Sequence, residues 1–277
     1  MKFFIGGTGA CDVHNEKSIL KINIEQNGHE VSDYIDDVDY IILTDLCIGT
    51  YNSFTTNIKY LKQILMFKDK KTKVILSGCL SKGVNFELTD EQKQILSKVT
   101  IVKPDEILKY VANILNLEIT DESLDIFLPF SQEYRKLRTS IVDGCLNNCS
   151  FCKSSYMNFG LKSVPFEVIE KFVNETNQID VPLYYQQIIS SNLSLYGVDL
   201  YNKQRAHEAI NLLSKVETTK FMNIGAVINW YPELINEIIN NPKIKIITTS
   251  LESGSPRIYN LMNRPIELNK LIEIIKK

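Results

Sequence analysis

Three cysteines lie close together in the run Gly144-Cys145-Leu146-Asn147-Asn148-Cys149-Ser150-Phe151-Cys152. The C-x3-C-x2-C spacing can aim three thiolates from one tight loop at a single soft metal centre. With six cysteines in 277 residues, chance rarely produces such a run. Zinc would want a fourth ligand nearby, and no Cys or His follows within 50 residues of Cys152. A cubane iron–sulfur cluster held by three thiolates keeps one iron open for a small ligand. The loop therefore reads as a cluster site rather than a zinc site or three structural cysteines.

Cys11, Cys47 and Cys79 are far apart, and their context carries the argument. Residues 2–6 read as a strand, with Cys11 in the glycine-rich loop beyond it. Residues 40–44 form a β-branched apolar run, with Cys47 three residues later, and residues 73–77 form another, followed by Gly78-Cys79. Helical periodicity fills the intervals: residues 15–26, stopped at Gly28, and residues 53–67, with Phe54, Ile58, Leu61 and Leu65 on one face. Alternating strands and helices imply a doubly wound parallel sheet, whose strand C-termini share the edge where ligands bind. Three cysteines just past three strand ends are expected to converge there. Gly6-Gly7-Thr8-Gly9 lacks the ending of a P-loop and the full dinucleotide fingerprint, so it reads as a turn that sets up Cys11.

The elements that must position these residues fall into two series. The first, residues 1–117, continues with a helix over 90–97, a strand over 100–102 and a helix over 104–115. An acidic, mixed linker follows at 118–132. The second series, residues 133–277, has strands at 137–142, 183–189, 221–226 and 245–251. Its helices lie at 165–178, 203–214, 232–239 and 268–277. The three-cysteine loop follows the first strand of this series, at the edge where a parallel barrel carries its chemistry. At about 30 residues per βα unit the second series holds only four units. Its fourth strand is then an exposed apolar edge. The chain is expected to be a fragment, or to be completed by something else.

Composition sets outer limits. Hydrophobic residues make up 44% and charged residues 23%, which excludes a disordered or collagen-like chain. A formal charge of −2 excludes a globally basic nucleic-acid binder, so any contact with phosphates must be local. No apolar run approaches the roughly 18 residues of a membrane span. The N-terminus reaches its glycines too soon for a signal peptide, so a reducing cytoplasmic location without a membrane partner is expected. Lys68, Lys70, Lys71 and Lys73 read as a solvated face. Arg135, Lys136 and Arg138 lead into the cluster-bearing strand and stand evenly between solvated face and phosphate contact. His14 and His207 are isolated and not expected as ligands. Trp230, before Tyr231 and Pro232, reads as core at a helix start.

Taken together, these motifs resemble the radical S-adenosylmethionine (SAM) methylthiotransferase family. The two cysteine triads carry the resemblance, with Phe151 just before the last cysteine of the loop. Further along, Asn192, Tyr196-Gly197 and Asp199 resemble the family's asparagine and Y-G-x-D pattern. Leu251-Glu252-Ser253-Gly254-Ser255 with Met262-Asn263-Arg264 resembles its Q-S-G-S and M-N-R signature. The resemblance implies an N-terminal flavodoxin-like doubly wound sheet and an incomplete radical SAM partial barrel of βα units. It implies two [4Fe–4S] clusters, one on Cys145, Cys149 and Cys152 and an auxiliary one on Cys11, Cys47 and Cys79. SAM would be contacted by Phe151, Asn192, Glu252 and Ser253, and a flavodoxin or ferredoxin would deliver electrons. The implied reaction puts a methylsulfanyl group on an unactivated carbon, first of all on a tRNA adenosine near the anticodon.

Several residues depart from the family pattern. Asp45-Leu46 replaces an asparagine-threonine pair, residues 155–164 contain no arginine, and Glu252 stands where the family has glutamine. The family's C-terminal RNA-binding domain is not in this sequence. These departures leave two alternatives: the same chemistry on a ribosomal protein or peptide side chain, or an iron–sulfur protein without turnover.

Overall fold

The computed structural model describes residues 1–7, 16–46, 51–82, 87–104, 106–117, 130–131, 136–152, 160–178 and 185–276. The chain divides into two compact units, Met1–Ile126 and Phe127–Lys277. Of the expected linker at 118–132, only Phe130 and Ser131 are among the described residues.

The first unit runs β1 (Lys2–Gly7), α1 (Glu16–Gln26), β2 (Glu30–Ser32), β3 (Tyr40–Asp45), α2 (Tyr51–Phe67) and β4 (Lys73–Leu76). It continues with α3 (Gly78–Lys82), α4 (Asp90–Leu96), β5 (Thr100–Ile101) and α5 (Ile107–Leu115). All strand pairs are parallel, in the order β2-β1-β3-β4-β5, which is the flavodoxin-like order. Parallel sheets are covered on both faces, and the central strands show it: Ile41, Ile42 and Leu43, and Val74, Ile75 and Leu76, are all buried. α5 presents Ile107, Val111, Ala112 and Leu115 to this core and ends at Asn116, whose φ of 55° breaks the helix. α4 starts with a capping box in which Thr89 and Gln92 satisfy each other's main-chain N–H. β2 escapes sequence reading because a three-residue edge strand is too short to show a period.

The second unit opens with β6 (Phe130–Ser131), β7 (Lys136–Ser140), β8 (Val142–Gly144) and β9 (Leu161–Ser163), then α6 (Phe166–Asn177) and β10 (Tyr185–Ile189). After a 3-10 turn at Leu193–Leu195 come α7 (Val198–Tyr201), α8 (Ala206–Leu213), β11 (Phe221–Ile224) and α9 (Pro232–Asn240). The chain ends with β12 (Ile244–Ile247), α10 (Pro256–Leu261) and α11 (Leu268–Ile275). The sheet order is β12-β11-β10-β7-β6, with β7, β10, β11 and β12 parallel and β6 antiparallel to β7. Side chains alternate between the faces of a strand. Thus Leu137, Ile188, Met222 and Ile224 pack on Ile169 and Val173 of α6, Ile210 and Leu213 of α8 and Leu234 of α9. β12 is the edge strand, with Ile246 and Ile247 exposed, as the count of four βα units implies.

One expected strand divides in two. Leu137 and residues 139–142 are buried, yet the sheet strand stops at Ser140 and Val142 begins a separate ribbon. Burial alone cannot reveal this change of partner, because Ile141 and Val142 remain core residues while their backbone hydrogen bonds are redirected.

Candidate metal centre

The cysteine loop hangs from the β8–β9 ribbon. Val142 pairs with Ser163, Asp143 with Lys162 and Gly144 with Leu161, so the chain leaves for the cysteines and returns at one base. Gly144, immediately before Cys145, has a φ of 84°, and a Cβ there would lie 2.0 Å from the Gly160 carbonyl oxygen. Only glycine lets the outgoing and returning strands approach this closely.

The ribbon is pinned from behind by the segment that resembles a Y-G-x-D pattern. Asp199 accepts hydrogen bonds from the Ser163 main-chain N–H (2.7 Å) and hydroxyl (2.5 Å). The Gly197 N–H donates to the Ser163 hydroxyl oxygen at 2.9 Å, and the buried Tyr196 hydroxyl donates to the Val164 carbonyl at 2.6 Å. Burial pushes the Tyr196 phenol well above its usual range. Arg205, ion-paired with Glu208, lies over the rings of Phe166 and Tyr201 and locks the same corner. These motif residues therefore shape the loop's scaffold.

The loop itself is held from two sides. On one side Ser150 donates its main-chain N–H to the Met262 carbonyl (3.0 Å) and its hydroxyl to the Leu261 carbonyl (2.7 Å). Asn263 Nδ2 donates to the Asn148 carbonyl at 2.7 Å. Arg264 donates from Nη2 to the Ser250 carbonyl (2.7 Å) and from Nη1 to Cys149 Sγ (3.5 Å), with its guanidinium 5.8 Å from the centre of the Phe151 ring. On the other side Asn192 Nδ2 donates to Cys145 Sγ at 3.3 Å, and the Asn147 main-chain N–H donates to the same sulfur at 3.4 Å. Asn229 ties Asn147 and Asn192 together, accepting from both at 2.8 and 2.7 Å. Asn192 follows β10, Asn229 follows β11 and Ser250 follows β12, so each parallel strand sends a loop from its C-terminal end to the cysteines.

Burial pushes the Cys149 thiol up from its ordinary value. Arg264 works against that rise, while the fields of Cys152 and Cys145 add to it. Among the described residues, however, no three His, Cys, Asp or Glu side chains are arranged to hold a single metal ion. Three thiolates leave one iron of a cubane open, whereas structural zinc takes four protein ligands, so the donor set of the loop fits a cluster better than zinc. A second observation fits a bound polar group: Ser190 Oγ and Asn192 Oδ1, both buried after β10, have no protein partner. Buried polar atoms ordinarily have one.

The remaining expected site residues are placed as follows. Phe151 is partly exposed beneath Arg264. Glu252 and Ser253 lie on the loop after β12. Glu252 is exposed with a φ of 61°, and Ser253 bonds within that loop, donating to the Leu251 carbonyl and accepting from the Ser255 N–H. Cys79 is half-buried in the first turn of α3. Gly78 before it has a φ of 67°, and a Cβ there would lie 1.9 Å from the Thr44 carbonyl oxygen, so glycine brings Cys79 against the end of β3. Cys11, Cys47, His14, Arg135 and, of the Gly6–Gly9 turn, Thr8 and Gly9 lie outside the described residues. The two glycines that are described sit in β1, where its register with β3 shifts. His207 meets Tyr231 (3.3 Å) and Glu208, a structural contact. Trp230 is partly buried against two apolar clusters, as its core reading required.

Sequence reasoning missed Asn147, Ser163 and Asn229. Asn147 lies inside the cysteine motif, but its place between the sulfurs does not mark it as a donor to one of them. Nothing in the sequence marks Ser163 or Asn229, because their roles come from elements folded against them.

The radical SAM superfamily matches residues 139–277, half of the chain. Three relatives illustrate the similarity, two of them over the whole chain. The ribosomal protein uS12 methylthiotransferase RimO of Thermosipho africanus is 23% identical over 284 residues, covering 100% of this chain and 65% of its own length. The protein of the same name from Caldanaerobacter subterraneus is 30% identical over 258 residues, covering 86% of this chain and 57% of its own length. A tRNA-2-methylthio-N(6)-dimethylallyladenosine synthase of Thermotoga petrophila is 23% identical over 291 residues, covering 100% of this chain and 64% of its own length. The chain thus spans about 65% of the length of such relatives.

Proposed function

The chain belongs to the radical SAM superfamily, and from that premise we propose that it works as a methylthiotransferase, replacing hydrogen on an unactivated carbon with a methylsulfanyl group. The observation that carries the reading is the braced C-x3-C-x2-C loop at the C-terminal edge of four parallel strands. A [4Fe–4S] cluster on Cys145, Cys149 and Cys152 would supply the electron that cleaves SAM and begins hydrogen removal. The chain's own part is positioning. Asn192 and Arg264 donate to cluster-binding sulfurs. Ser190 Oγ and Asn192 Oδ1 offer unpartnered acceptors to a SAM amino group, and Phe151, Glu252 and Ser253 complete the proposed contacts. The auxiliary cluster on Cys11, Cys47 and Cys79 would hold the sulfur to be transferred. A flavodoxin or ferredoxin would be the one-electron donor.

For the substrate, the sequence expectation put a tRNA adenosine first. Relatives named for ribosomal protein uS12 move the weight to a ribosomal protein side chain, with tRNA as the second reading supported by the relative named as a tRNA synthase. Among the described residues no helix is long and apolar enough to cross a membrane. The test is anaerobic reconstitution with iron and sulfide, reduction, and assay for 5′-deoxyadenosine from SAM. Mass spectrometry of ribosomal proteins and tRNA nucleosides from cells with and without the gene then identifies the target. Deoxyadenosine is expected. Bound zinc, or iron without SAM cleavage, overturns the enzymatic reading.

A further inference from the structure

We infer that Asn229 is a positioning residue that sets the hydrogen bonding of the Cys145 sulfur, and through it the ease of reducing the cluster on that loop. The inference rests on the proposed cluster site and deepens it. Asn229 Oδ1 accepts from Asn147 Nδ2 at 2.8 Å and from Asn192 Nδ2 at 2.7 Å, and its own Nδ2 donates to Asn147 Oδ1 at 3.2 Å. Asn147 and Asn229 therefore form a closed amide pair with Asn192 attached to it. Both clamped residues bond the same sulfur: Asn192 Nδ2 at 3.3 Å and the Asn147 main-chain N–H at 3.4 Å. One amide thus orients both N–H donors on Cys145.

The hub is itself fixed. The buried Ser194 hydroxyl oxygen accepts the main-chain N–H groups of Ile228 and Asn229 at 2.9 and 3.0 Å. The Leu193 N–H donates to the Ala226 carbonyl at 3.0 Å, so the loops after β10 and β11 are stitched beside the hub. A donor on a cluster-bound sulfur stabilises the electron-rich, reduced form, and such bonds are among the factors that set cluster potential. Loss of the hub frees the Asn192 amide and the Asn147 segment to turn away, and the cluster becomes harder to reduce. Simple glue between loops would alter stability without moving the potential of an assembled cluster.

The test uses the full chain carrying Cys79→Ala, which removes an auxiliary ligand so that about four irons report on the loop cluster alone. Asn229→Leu, Asn147→Leu and their combination are reconstituted, their iron is counted, and the reduced cluster is quantified by electron paramagnetic resonance at fixed potentials. With parent iron content, Asn229→Leu is expected to lower the ratio of reduced to oxidised cluster about tenfold at a given poise, about 59 mV for one electron. Asn147→Leu should shift it the same way, and the double variant no further than the larger single one, because both act through one amide pair. An unchanged ratio in Asn229→Leu, or additive shifts in the double variant, overturns the inference. Should Asn229→Leu lose its iron, an unshifted Asn147→Leu overturns it equally. A parent that binds no cluster overturns the proposed function and this inference with it. A cluster-bearing parent with unresponsive variants overturns this inference alone.

Discussion

The cysteine loop depends on a residue without a side chain. Gly144 sits at φ 84° with the Gly160 carbonyl oxygen where a Cβ would go, so Gly144→Ala combines backbone strain with a clash that no rotamer relieves. Strain of this kind costs about 1–3 kcal/mol, and the clash adds to it. Gly144→Ala is expected to lower the urea midpoint of the full chain and its iron retention together; an unchanged midpoint refutes the account of the loop base. The contrast with Asn229 shows what is legible at this scale. Three sulfurs in a C-x3-C-x2-C run point to the proposed cluster site because that chemistry demands both residue type and spacing. An asparagine 77 residues past the last of them announces nothing, since its partners Asn147 and Asn192 reach it only through folding.

Among elements, the β8–β9 ribbon does the work that the sequence assigned to a single strand over 137–142. Its return strand is fastened by Asp199, which accepts both the main-chain and hydroxyl donors of Ser163. Hydrogen bonds to a charged group contribute about 1.5–3 kcal/mol. Asp199→Ala should destabilise the chain by roughly that amount in denaturant titration, with Asp199→Asn losing less because one acceptor oxygen remains. Equal losses would show that the carboxylate's two-donor grip is not what matters. Most helices were legible to within a few residues, because an apolar stripe at helical period is a local pattern. α3, α7 and α10 were not, since helices of five, four and six residues are too short to display one.

At the scale of the molecule, one buried phenol, Tyr196, and one partly buried phenol, Tyr231, make the second unit sensitive to alkali. Burial pushes Tyr231 up to about 12 and Tyr196 higher still, against about 10 for an unfolded tyrosine. Above pH about 10 the unfolded chain releases phenol protons that the folded chain keeps, so each phenol's contribution is full below that pH and lost as pH rises through the folded value. The loss is at most about 1.4 kcal/mol per pH unit for each group. The thermal midpoint should fall less steeply above pH about 10 in Tyr231→Phe than in the parent, and identical slopes would remove Tyr231 from the explanation. The sequence by itself carried the cysteine spacing, the βα alternation and the four βα units of the second series, because residue type, spacing and periodicity are properties of the chain. The flavodoxin-like strand order implied by the resemblance is the one observed. Only the tertiary structure decided that Asp199 grips Ser163, that Arg264 reaches Cys149, and that Asn229 joins the two donors of Cys145. Those contacts join residues between 36 and 115 positions apart, and no local pattern encodes a partner at that distance.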